Sequence, residues 1–148
     1  MMRRGFGLIT AIIIMVAVAT LMSLMLTLTH ASLKSTTDVY LKEQAELIAR
    51  SAVEYTLLAI SGHDNSNSCV EHVNITYPNA ATPTHEANVS VYYFFKGAPA
   101  NCNQVLANNI KTDESNMTAL LDVRVSVNMD NTGISEPIVI HKRLLQKP

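Results

Sequence analysis

Two cysteines, five histidines, three Asn-x-Ser/Thr tripeptides and a thin scatter of carboxylates are the residues of this 148-residue chain with the chemistry for a site. Cys69 and Cys102 offer disulfide formation, thiolate nucleophilicity or soft-metal ligation. His30, His63, His72, His85 and His141 lack the close spacing of a metal site, so each reads as a solvated side chain. Only His63-Asp64 falls in a loop rich in other ligand atoms. Asp113, Glu114 and Asp130 come nearest to a calcium-binding composition and are too sparse to make one. There is no HExxH, no glycine-rich phosphate loop and no nucleophile elbow. The sequence therefore predicts no catalytic residue, no cofactor and no metal. Asn74, Asn88 and Asn116 each open an N-glycosylation tripeptide. Glu86 and Glu114 stand two residues before Asn88 and Asn116, which resembles the longer bacterial acceptor pattern. Asn116, in a loop, is the better candidate and Asn88 the second.

The elements that must carry these residues begin with an apolar run. From Phe6 to Thr29 there are 24 residues without a charge, a proline or a polar side chain larger than threonine. As a helix this run spans about 36 Å, against about 30 Å for a hydrocarbon core. It is too long for the core of a cleaved signal peptide, and Thr29-His30-Ala31-Ser32 is a poor cleavage site. Arg3 and Arg4 precede it, which places the N-terminus in the cytoplasm and everything after Thr29 outside. In that oxidising compartment Cys69 and Cys102 are expected to form a disulfide; the alternative is two unpaired buried thiols. Net charge is −1, and no basic patch lies beyond the leader, so no nucleic-acid partner is expected.

Helical character continues past the run. No glycine or proline interrupts Leu33 to Ile60. Leu33, Thr37, Tyr40, Leu41, Gln44, Leu47, Ile48, Ala52, Tyr55 and Leu58 follow steps of three and four, with Lys42, Glu43, Glu46, Arg50 and Glu54 mostly opposite. That predicts an amphipathic helix with the first set packed, ended by Ser61-Gly62. Strands are predicted at Val70–Tyr77, Asn88–Lys96, Leu120–Met129 and Ile138–Leu145, with loops at 62–68 and 79–86. Within the third, Val123, Val125 and Val127 alternate with Asp122, Arg124 and Ser126. A short helix is expected around Gln104 to Ile110, and Asp130-Asn131-Thr132-Gly133 as a hairpin turn. The fold class is α+β, one long N-terminal helix packed on a small antiparallel sheet of about four strands.

Arg3-Arg4-Gly5-Phe6, the apolar helix behind it and a β-rich head resemble the type IV pilin-like superfamily of pilins, minor pilins and type II secretion pseudopilins. The resemblance implies a prepilin peptidase cut between Gly5 and Phe6, with Phe6 the N-methylated mature terminus. It implies a leader at 1–5, a transmembrane assembly helix at 6–29, an amphipathic continuation at 30–61 and a periplasmic head at 62–148. Cutting off residues 1–5 removes two of the eleven basic residues and leaves nine against twelve acidic, a net charge of −3. The implied partners are other pilin-like subunits, the peptidase and an inner-membrane assembly platform. Phe6, Thr10, Ile12, Val16, Ala19 and Ser23 would pack on neighbouring helices. Most members carry a glutamate where Thr10 stands; members without it tend to sit at the tip of the assembly. Gly5-Phe6-Gly7-Leu8-Ile9 and Ala45–Tyr55 are similar to segments of those tip proteins, but only 86 residues follow Gly62. A minor pilin or small pseudopilin is therefore expected; the competing reading is a single-pass anchor presenting a periplasmic adaptor domain that does not polymerise.

Overall fold

A computed structural model describes residues 5–110, 117–134 and 136–148. Arg3, Arg4, Asp113, Glu114 and Asn116 lie outside the described residues, as does the side chain of Phe6. The chain is α+β: helix α1 (Gly5–Gly62), strands β1 (His72–Tyr77), β2 (His85–Phe95), β3 (Val105–Ala107) and β4 (Met117–Val127), helix α2 (Met129–Thr132) and strand β5 (Val139–Gln146). It divides into two units, residues 1–39 and residues 40–148.

The first unit is helix α1 up to Val39, and it contains a stretch long and apolar enough to cross a membrane. Its large side chains, from Leu8 to Leu33, are exposed. Four threonines in the apolar run bond back to their own helix: Thr10 donates to the Gly7 carbonyl at 3.0 Å and Thr20 to Ala17 at 2.8 Å. Thr27 and Thr29 donate to Leu24 and Met25, each at 2.8 Å. A hydroxyl paired in this way carries little penalty into a medium without water.

The second unit is a sheet in the order β1-β2-β4-β5, every pair antiparallel, with the rest of α1 on one face. Four strands correspond to the expected four. The fifth, β3, replaces the helix expected around Gln104 to Ile110 and runs parallel to β2 beyond the end of β1. Backbone pairing decides this: the Tyr93 amide donates to the Gln104 carbonyl at 2.8 Å, so the segment completes β2's open edge. β2 also begins earlier than expected, because His85 and Ala87 share the buried face of Val89, Val91, Tyr93 and Phe95. The expected Asp130–Gly133 hairpin turn is instead the helical turn α2. Asn128 caps its start by accepting from the Asp130 amide at 3.0 Å, and Gly133, at φ 67°, closes its end.

Helix α1 meets the sheet on a face that shares Leu41, Ile48 and Ala52 with the expected one but is rotated away from its larger members. The residues buried against the sheet are Leu41, Ala45, Ala49, Ala52, Val53, Thr56 and Ile60, whereas Tyr40, Leu47, Tyr55 and Leu58 remain about 60–70% exposed. The sheet explains the choice. Its inner face is already filled by Tyr93, Phe95, Leu121 and valines, and three of the seven helix residues buried against it are alanines, Ala45, Ala49 and Ala52.

Candidate interaction surfaces

In the second unit, Tyr40, Gln44, Leu47, Ser51, Tyr55 and Leu58 follow steps of three and four, which align them in one stripe along α1. Gln44 donates to the Tyr40 hydroxyl at 2.9 Å, fixing the start of the stripe. Beside it a groove of about 330 Å³ opens between the helix, at Leu47, Ile48 and Ser51, and β1, at Ile75 and Tyr77. Among the described residues no charged side chain lines it. β5, on the opposite edge of the sheet, is cationic: Lys142 faces the helix and pairs with Glu46 at 3.7 Å, and Arg143 faces the other way.

The sheet's outer face carries polar rows set by the register. Ser90 lies opposite both His72 and Asp122, and Asp122 lies opposite Arg143; Asn88 lies opposite both Asn74 and Arg124. Asp122 accepts from Arg143 Nε at 3.1 Å and from its terminal nitrogen at 2.5 Å, and also bonds the His141 ring. The Arg143 bonds, then His141, hold the Asp122 carboxyl below the ordinary carboxylate range. A depressed carboxyl pKa stabilises the fold above the unfolded-state value of about 4, and the gain is lost as pH falls through the folded value. Asp122→Asn is accordingly expected to close the gap in melting temperature to the wild type as pH is lowered from 5 to 3. The change is a few degrees at most, because Arg143 is exposed; a gap that stays constant across the series contradicts it.

Cys69 and Cys102 are joined by a disulfide with Cα atoms 5.4 Å apart. Around it the segments before β1 and before β3 are stitched together. Glu71 accepts from the Asn103 amide at 2.5 Å, and Gln104 Nε2 bonds the His72 ring at 2.7 Å. Glu71 also lies within 4.8 Å of both sulfurs, but the cysteines are committed to each other. The Tyr93 hydroxyl donates to the Val70 carbonyl at 2.7 Å, and burial pushes its pKa up to about 12.

The remaining expected residues separate. Gly5 opens α1, and Thr10, Ile12 and Val16 are exposed along it. Asn88 sits mid-strand on the outer face of β2. His85, expected to be solvated, is fully buried: its Nε2 bonds the Leu41 carbonyl at 3.1 Å and its Nδ1 the Thr84 hydroxyl at 2.9 Å. It fastens β2 to the helix. The signal for this was the alternation His85, Ala87, Val89, Val91, which the neighbouring polar loop residues obscured. No protein-family model, curated protein or solved structure matches the chain.

Proposed function

We propose that this protein is a minor pilin or pseudopilin subunit of a type IV pilus or type II secretion-like filament. One observation carries the reading: an uncharged apolar stretch, headed by Arg3-Arg4-Gly5-Phe6, belongs to a helix that continues to Gly62 and into an α+β unit stapled by a disulfide. In this account prepilin peptidase cuts between Gly5 and Phe6. The mature chain sits in the bacterial inner membrane with its N-terminus cytoplasmic and its head periplasmic. An assembly platform then passes it into a filament with other pilin-like subunits. The work is packing rather than catalysis, through Phe6, Thr10, Ile12 and Val16 against neighbouring helices. Thr10 lacks the carboxylate that body subunits carry, which favours a low-abundance or near-tip position. A hydroxyl carries no charge to pair with a neighbour's terminal amine, and this one donates to the Gly7 carbonyl of its own helix.

The competing reading, a single-pass anchor that presents an adaptor domain and never polymerises, makes a different prediction inside the membrane. With a photo-cross-linking residue in place of Ile12, irradiated cells are expected to yield adducts to chains that themselves begin at a processed apolar helix. Adducts to lipid alone contradict assembly.

A further inference from the structure

We propose that the free edge of β1 accepts an extended, uncharged segment of another protein chain as an added strand, its side chains filling the groove beside α1. The inference rests on the second unit alone and does not depend on the pilin-like reading. Among the described residues β1 ends the sheet, with β2 on one side and no strand on the other. In an antiparallel ladder alternate residues exchange both backbone bonds with the partner, and those between turn theirs away. The Glu71 carbonyl accepts from the Val91 amide at 2.9 Å. The register therefore directs the backbone groups of Val73, Ile75 and Tyr77 to β2, and those of His72, Asn74 and Thr76 outward. His72, Asn74 and Thr76 are exposed.

Two features distinguish this edge from β5. Sheet edges are commonly blunted by lysine, proline or a bulge. β5 carries Lys142 and Arg143 at its centre; β1 has no lysine, arginine, carboxylate or proline within it and pairs with β2 without a break in register. The space against β1 is also uncharged and mainly apolar, walled by Leu47, Ile48, Ile75 and Tyr77, with Gln44, Ser51 and Thr76 as its polar lining. Charge matching thus selects a neutral occupant, since a charged side chain seated there would lose water and gain no partner. Backbone valence selects its conformation. A helix laid into the groove would bury the outward N–H and C=O groups of β1 unpaired, whereas an extended segment pairs them. Alternate side chains of such a segment enter the groove, and the others join the polar outer face beside Asn74 and Thr76.

The test uses the full chain, isotope-labelled in detergent micelles, and a short capped peptide of alternating threonine and valine. Binding is expected to slow amide exchange at His72, Asn74 and Thr76 by at least about ten-fold. Val73 and Ile75, already bonded to β2, change little. The same peptide N-methylated on alternate amides loses the effect. So do Asn74→Pro, whose missing N–H faces outward, and Leu47→Glu in the groove wall, which leaves β1 intact. Absence of protection in the wild type at millimolar peptide overturns the proposal. So does equal protection on β5, or protection without peptide that grows with protein concentration, which makes a second copy the occupant.

Discussion

Replacing Cys69 and Cys102 together by alanine is expected to lower the stability of residues 40–148 by about 3–4 kcal/mol, the loop-closure entropy for a separation of 33 residues. For a unit of this size that is a fall in melting temperature of about 15 °C. The bridge joins the segment leading into β1 to the one leading into β3, and Cys69, Val70 and Cys102 are only partly buried where they pack against the edge of the core. Without it, the bonds Glu71–Asn103 and His72–Gln104 and the Asn101–Asn67 backbone bond must close the same loop. The chain has no tryptophan, so near-ultraviolet circular dichroism of the tyrosines follows the transition. Tyr93, bonded to Val70 beside the bridge, reports the region directly. A double variant melting within a few degrees of the wild type contradicts the assignment.

Ala49→Leu is expected to cost about 3 kcal/mol, whereas Leu47→Ala, two residues away, changes stability by less than about 0.5 kcal/mol. The asymmetry reverses the usual intuition about which side chain matters. Ala49 is fully buried against a sheet face already filled by large residues, so added methylenes have nowhere to go and the helix must lift. Leu47 is 62% exposed and supports only the groove. Thermal melts of the two variants test this helix phase: comparable losses would restore the face that side-chain size alone suggests.

That face shows why part of the fold was legible and part was not. Period-two alternation identified β4 and its buried valines because one side of the strand is wet and the other dry. Helical spacing of α1 was equally clear, but its phase was not: two apolar sets run along the same turns, and the larger side chains drew the assignment. A helix packed flat on a bulky sheet selects the smaller set, a demand made by the partner surface rather than by the helix. β3 was illegible for a related reason, since three residues carry no periodicity and their strand is imposed by β2's unpaired edge. Asp130-Asn131-Thr132-Gly133 marked a chain reversal, while the choice of a helical turn over a hairpin turn depended on Asn128, expected within the strand, reaching forward to two amides. His85 was hidden because a histidine beside a loop is ordinarily solvated; the alternation it begins, and its pairing opposite Val127, place it inside.

In the proposed function Arg3-Arg4-Gly5-Phe6 is a cut site and the helix behind it an assembly helix. Intact mass and N-terminal peptide mapping of the protein, purified from cells with an active prepilin peptidase, test it most directly. The expected product is a chain beginning at Phe6, carrying a methyl group on its terminal amine. A chain still beginning at Met1 or Met2 would contradict it.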